Sequence, residues 1–143
     1  MGCCGHGFGD KLAVAEGIQK NTLEYHYHMN RGNEKADWMN RDKGVRKSGV
    51  CRNLIYDIEK DKVFCPCHPD VNYGVDLRID HHFCDILHVC KTAFFYDLWD
   101  AERKAAFMKF LKDKRKKDGL DWYSYSMGMA DDSFLKEFEG LDW

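Results

Sequence analysis

Seven cysteines and seven histidines stand in a chain of 143 residues, and five of the cysteines fall between Cys51 and Cys90. Their order is Cys51, then Cys65-Pro66-Cys67-His68-Pro69, then Asp80-His81-His82-Phe83-Cys84, then Cys90. Thiolate and imidazole are the ligands of a borderline-soft cation, so this inventory predicts a bound metal. Zinc in a closed tetrahedral site is the first expectation; iron, or an iron–sulfur cluster held by thiolates, is the alternative. Zinc is placed ahead because His68, His82 and His88 offer mixed ligation and no ferredoxin spacing is present. Cys51, Cys65, Cys84 and Cys90 are the leading ligand candidates. Cys67 and His68 follow, and Cys3 and Cys4 complete a set large enough for two ions if the N-terminal segment contributes.

These residues need elements to position them. The stretch Leu54-Ile55-Tyr56-Asp57-Ile58, the polar run Glu59-Lys60-Asp61-Lys62 and the pair Val63-Phe64 read as two strands and a turn. Antiparallel pairing is expected to bring Cys51, at the start of one strand, toward Cys65 at the end of the other. Pro66 and Pro69, the only prolines, bracket Cys67-His68 and restrain both themselves and the residues before them. A loop stiffened in this way loses less conformational entropy on ligation, at about 1–2 kcal/mol for each residue that need not be fixed. Residues 70–80 read as a polar loop. From Asp85 the residues Ile86, Leu87, Val89, Cys90, Ala93, Phe94 and Leu98 predict a buried helix running to about Trp99. With Asp85 as its cap, Cys84 and Cys90 can both face the Cys65–His68 knuckle. With a start near His81, the stripe is instead His81, Cys84 and His88, and Cys90 becomes a core cysteine.

The flanking segments are helical or flexible. Residues 1–9 carry Gly2, Gly5, Gly7 and Gly9, which excludes a stable helix and predicts an arm that is either disordered or folded back so that Cys3, Cys4 or His6 reach the metal region. Lys11 to Met29, with apolar positions Leu12, Ala15, Ile18, Tyr25 and Met29 and Asp10 before them, predicts an amphipathic helix that Gly17 weakens. His26 and His28 would lie on opposite faces of it and so do not share a metal readily. A short helix is expected over 33–41. A long one is expected from Asp100 to Lys117, with Ala101, Ala105, Phe107, Met108, Phe110 and Leu111 on its apolar face and a basic last turn that suits the helix dipole. Two more short helices are expected over 122–129 and 133–138. The fold class expected is therefore α+β, mostly α, with a short β-hairpin and a metal-binding knuckle packed among several helices. Length predicts one domain.

The cysteines in Gly2-Cys3-Cys4-Gly5, in Cys51-Arg52-Asn53-Leu54, and at Cys65, Cys84 and Cys90 follow an order similar to that of the YkgJ-type zinc- or iron-chelating cysteine-cluster proteins. The resemblance implies that Cys3, Cys4, Cys51, Cys65, Cys84 and Cys90 are metal ligands. The chain lacks that family's first Cys-x-x-Cys and the Arg-Pro before a later cysteine, and the matching positions cover less than a third of its length.

The same residues bear on other functions. A catalytic zinc needs an open position and a carboxylate base. Asp70, Asp80 or Asp85 could serve as that base, but no His-Glu-x-x-His or deaminase-like spacing supplies one, so a non-enzymatic role is expected. No apolar run nears the roughly 20 residues of a membrane span, and no secretory leader is legible, so a cytoplasmic protein without a membrane partner is expected. In that reducing compartment an odd number of cysteines suits ligation better than disulfides. Gly2-Cys3-Cys4 resembles an acylation site, but His6 stands where myristoylation requires Ser or Thr.

Formal net charge is −2, so nucleic-acid binding would need a local patch, and Lys43, Arg46, Lys47 and Arg52 are the candidates. Binding to RNA or DNA is expected to be weak and salt-sensitive. Retention on immobilised nucleic acid across a salt series checks this, and submicromolar affinity at physiological salt would overturn it.

Overall fold

The longest helix, α1 (Lys11–Asn30), begins where Asp10 accepts a hydrogen bond from the Ala13 amide at 2.9 Å. Its buried stripe is Val14, Gly17, Ile18 and Asn21, spaced by threes and fours. The stripe is rotated from the expected one, since Leu12 is 68% exposed. Gly17 explains the rotation. A side chain there would meet Val50 Cγ1 at 2.8 Å and Ser48 Oγ at 3.1 Å, so the missing Cβ lets residues 48–50 lie directly across the helix.

The protein is described here by a computed structural model that covers residues 4–42, 44–79, 84, 86, 87 and 89–140. Among these residues the fold is α+β and mostly α, with six helices and one two-stranded antiparallel sheet. They divide into two compact units, the first ending at Leu87 and the second beginning at Val89.

The first unit holds α1, the short helix α2 (Lys35–Met39), and strands β1 (Ile55–Asp57) and β2 (Lys62–Phe64). Helix α2 is shorter than the expected 33–41: Glu34 and Asp37 form a reciprocal capping box at its start, and Asn40 is the cap residue at its end. The hairpin pairs Ile55 with Phe64 and Asp57 with Lys62. It is fastened to α1 by Thr22, whose hydroxyl donates to the Ile18 carbonyl and accepts from the Tyr56 amide. Trp38, Met39, Ile55 and Cys67 form the apolar core between these elements, with Tyr25, Met29 and Phe64 packed around them.

The second unit contains α3 (Lys91–Leu98), α4 (Ala101–Asp118), α5 (Trp122–Ala130) and α6 (Ser133–Glu139). Asp100 and Asp121 cap α4 and α5 through their carboxylates. Phe107, Leu111 and Phe134 are buried at the centre, and Tyr96, Trp99, Phe110 and Phe138 pack against them. The apolar face of α4 is narrower than expected, as Ala101, Ala105 and Met108 are exposed. Cations complete it instead: Arg103 lies over Trp99, and Arg115 over Tyr125 at 4.8 Å.

Helix α3 corrects the expectation of a buried helix from Asp85. It starts at Lys91 with Cys90 as its cap residue, and Ile86, Leu87, Val89, Phe94 and Leu98 are exposed. The start is set by a residue forty positions away. Both the amide and the hydroxyl of Thr92 donate to Asp132 Oδ1, at 2.7 and 2.6 Å. Asp132 adopts a left-handed φ of 63° at the head of α6, where its side chain makes no local cap bond. Its carboxylate therefore serves the amino end of α3 rather than its own helix.

Gly128 of α5 sits against the Phe134 ring, which a Cβ would meet at 2.3 Å. Gly128→Ala should therefore destabilise the protein by about 1–3 kcal/mol through overpacking, despite the gain of about 1 kcal/mol in helix propensity. Urea unfolding of the variant checks it, and a rise in stability would contradict the packing.

Candidate metal centre

Cys51 lies where three chain segments meet. Val45 and Cys51 form an antiparallel bridge on one side, closed by Arg46 N–H to the Val50 carbonyl at 2.9 Å. On the other side the N-terminal arm pairs with residues 49–51. Gly5 bridges Val50, the His6 amide donates to the Gly49 carbonyl at 3.0 Å, and the Cys51 amide donates to the Cys4 carbonyl at 3.1 Å. The arm thus folds back along residues 49–51. Gly5 and Gly49 make this possible, both at positive φ, since a Cβ on Gly5 would stand 2.2 Å from the Gly49 carbonyl oxygen and one on Gly49 2.3 Å from that of His6.

In this ribbon Cys4 and Cys51 flank the Gly5–Val50 bridge and oppose each other directly. Side chains at directly opposed positions of an antiparallel pair project to the same face, with Cβ atoms about 4.5–5.5 Å apart. After Cys51 the chain turns, with Leu54 N–H on the Cys51 carbonyl, before the hairpin begins. The last ladder pair is Ile55 with Phe64, so the bridge partners of Cys51 are Val45 and the arm rather than β2.

Asn53 connects two cysteine sulfurs. Its backbone amide donates to Cys51 Sγ at 3.4 Å, and its side-chain Nδ2 reaches Cys84 Sγ at 3.9 Å. N–H groups directed at sulfur favour the anionic thiolate, the form that ligates metal. Asn53 is itself buried and held by its Oδ1, which accepts from Arg41 at 3.4 Å.

A buried polar network lies beneath this turn. Asn21, wholly buried on α1, donates from Nδ2 to the carbonyls of Cys51 (2.9 Å) and Leu54 (2.8 Å), and its Oδ1 accepts from Arg46 Nε at 2.7 Å. Glu24, one turn further along α1, accepts from both Arg41 and Arg46 at 2.8 Å. Arg41 continues to the Trp38 and Arg52 carbonyls and stacks on the Trp38 ring, 4.4 Å from its centroid. Sequence reasoning missed Asn21, Asn53 and Arg41. The readable signal for Asn21 was a polar residue at the helical spacing of Val14 and Ile18.

The remaining candidates are distributed differently. Cys67 is fully buried in the apolar core beside Trp38 and Ile55, and Cys65 packs at its edge. Burial, with the Cys67 thiol nearby, pushes the Tyr25 hydroxyl above its ordinary range. The turn expected at Pro66 is present, with His68 N–H on the Cys65 carbonyl. Nδ1 of His68 accepts from the Asp70 amide at 3.2 Å, which in the neutral ring leaves the proton on Nε2 and so withholds that lone pair from a metal. Burial and then Arg78 hold the His68 imidazole below its usual value. Cys90 belongs to the second unit as the cap residue of α3. Cys3, Asp80, His81, His82, Asp85 and His88 lie outside the described residues. Among the described residues no group of three or more Cys, His, Asp or Glu side chains converges at metal-binding distance. What is assembled is a pair of opposed thiols, Cys4 and Cys51, and a sulfur pair sharing one asparagine, Cys51 and Cys84. These donors are soft, those of Cys51 and Cys84 are backed by N–H groups, and they fit zinc or iron in chemistry.

The basic stretch thought available to nucleic acid is partly committed elsewhere. Arg46 points inward to Asn21 and Glu24, and Arg52 pairs with Asp42 at 2.8 Å. Lys47 is exposed, and Lys43 lies outside the described residues. No helix among the described residues is long and apolar enough to cross a membrane. No protein-family model, no curated protein and no solved structure matches this chain.

Burial opposes the charge on Glu24, but its bonds to Arg41 and Arg46 outweigh that and hold its carboxyl below its ordinary value of 4.5. A depressed folded-state value stabilises the protein above pH 4.5, and that contribution is lost as pH falls through the lower folded value. Glu24→Gln should be less stable than wild type at neutral pH, with the gap closing on acidification below that point. Unfolding midpoints of both proteins between neutral and acid pH measure the difference, and a constant gap would refute the assignment.

Proposed function

We propose that the first unit is a small, non-enzymatic metal-binding module whose ion is structural, with zinc preferred over iron. The observation that carries the reading is the Asn53 bridge: one residue directs its backbone N–H to Cys51 Sγ and its side-chain amide to Cys84 Sγ, while Cys4 stands opposite Cys51 in the adjoining ribbon. Cys51, Cys84 and Cys4 are the thiolates assigned, and Cys65 is a further candidate. The order of cysteines shared with the YkgJ-type clusters supports the same reading. A cytoplasmic setting accords with it, because thiols there stay reduced and available to metal.

The chemistry of such an ion is that of a clamp. Bound between the arm, the turn after Val50 and the segment at Cys84, it would convert binding energy into folding energy, and structural zinc supplies on the order of 10 kcal/mol, comparable with the net stability of a whole domain. The residues of the chain prepare that step. Asn21 fixes the carbonyls of the turn, Arg41 fixes Asn53, and the N–H groups of Asn53 lower the cost of ionising the two thiols.

Elemental analysis combined with thermal unfolding before and after a strong chelator tests the proposal. The expected result is stoichiometric zinc and a large fall in melting temperature on its removal, with Cys51→Ser and Cys84→Ser each losing metal and stability together. An unchanged melting temperature and circular dichroism in the metal-free protein would refute a structural ion. A visible absorption band in the purified protein would point to iron–sulfur chemistry instead.

A further inference from the structure

We propose that the chain pairs with a second copy of itself through the outer face of α3, the two helices lying antiparallel across a two-fold axis. The pairing needs no metal. Lys91, Phe94, Phe95 and Leu98 stand three and four residues apart on one side of α3 and are all exposed, whereas Thr92 and Tyr96, on the opposite side, are buried or half-buried. The aromatic side chains of the inner side are covered by α4: Arg103 lies over Trp99 and Lys104 over Tyr96. Phe94 and Phe95 meet each other edge to face at 5.7 Å, and among the described residues no other ring and no cation is stacked on either. The face is firmly presented, since the two hydrogen bonds from Thr92 to Asp132 fix the amino end of the helix.

Area and charge both favour a second copy as the occupant. Phe94 is 54% exposed, Phe95 39% and Leu98 68%, with Val89 just ahead of the helix at 45%. At about 200 Å² for a large apolar side chain, these exposures amount to roughly 300–400 Å² of apolar surface, a size at which patches are often functional. An interface is about 60% apolar, so two such faces correspond to about 1,000–1,300 Å² buried in all, enough for a specific but modest dimer. Asp97 is exposed in the last turn of α3, where the helix dipole disfavours an anion, and among the described residues no ion pair answers its carboxylate. An antiparallel pairing brings the Lys91 end of each helix to the Asp97 end of the other and sets Phe94 of one copy against Phe95 of the second. A two-fold contact of this kind closes on itself and leaves no further face open.

Sedimentation equilibrium of the full-length protein, from low to high micromolar concentration and in reducing buffer to exclude disulfide-linked pairs, tests the contact. The expected result is a reversible monomer–dimer equilibrium that stops at two copies, with the α3 amides exchanging hydrogen more slowly in the concentrated sample. Leu98→Glu should weaken dimerisation about tenfold or more with an unchanged circular dichroism spectrum, whereas Leu12→Glu, at an exposed position of α1, should leave it as it is. A monomer at every concentration overturns the proposal, as do equal effects of the two variants or association that continues past two copies. If Leu98→Glu unfolds the protein, exchange in the wild type decides: protection over 91–98 that rises with concentration supports the pairing, and protection there that stays constant refutes it.

Discussion

Asn21 is the constraint on which the first unit depends. A wholly buried amide can be tolerated only with its polar atoms paired, and here each atom answers a different need. Nδ2 takes two carbonyls of the 51–54 turn that no strand would otherwise satisfy, and Oδ1 holds Arg46, which closes the loop before that turn. The position of Cys51 relative to α1 is thus set by hydrogen bonding together with the packing of Val50 against Gly17. Replacing the amide by a hydrocarbon would take the Asn21 donor from the Leu54 and Cys51 carbonyls and leave Arg46 with Glu24 but without its Asn21 acceptor, which is why such a network specifies one geometry so strictly.

The arginines extend this constraint outward. Glu24 draws Arg41 and Arg46 to one carboxylate oxygen, and Arg41 then reaches α2, the Arg52 carbonyl and Asn53. Two cations share one half-buried anion because further N–H groups of Arg41 are accepted by the Trp38 and Arg52 carbonyls and that of Arg46 by Asn21 Oδ1. The outcome is a continuous path of polar contacts from the core helix to the sulfur atoms of Cys51 and Cys84.

The second unit is organised on another principle. Its centre is a cluster of rings in edge-to-face and tilted contact, with Trp99, Phe107 and Phe138 mutually within 5.1–5.5 Å. Asp132 is a long-range polar device of this unit, taking a left-handed φ of 63° and capping α3 from forty positions away. The exposed Phe94 and Leu98 of α3 follow from that arrangement, since the helix is oriented by its capped end while the ring cluster takes only Tyr96 from its apolar residues.

Local chemistry was legible in the sequence wherever one segment decides its own conformation. Asp10 announces a helix start, the run 59–62 announces a hairpin turn, and the helices over 122–130 and 133–139 lie where short-range periodicity puts them. The mostly helical α+β class follows from these alone. Tertiary structure decided what depends on partners remote in the chain: the start of α3, set by Asp132; the inward turn of Arg46, which reads as a solvated cation until Asn21 and Glu24 are seen beside it; and the burial of Cys67 among Trp38 and Ile55. The cysteines show the division most clearly. Their types and number point to soft-metal chemistry because thiolate reactivity belongs to the residue itself. Which of them oppose one another depends on how far a glycine arm can approach the backbone at Gly49 and on where a buried asparagine fixes a turn, and neither distance is encoded in local sequence.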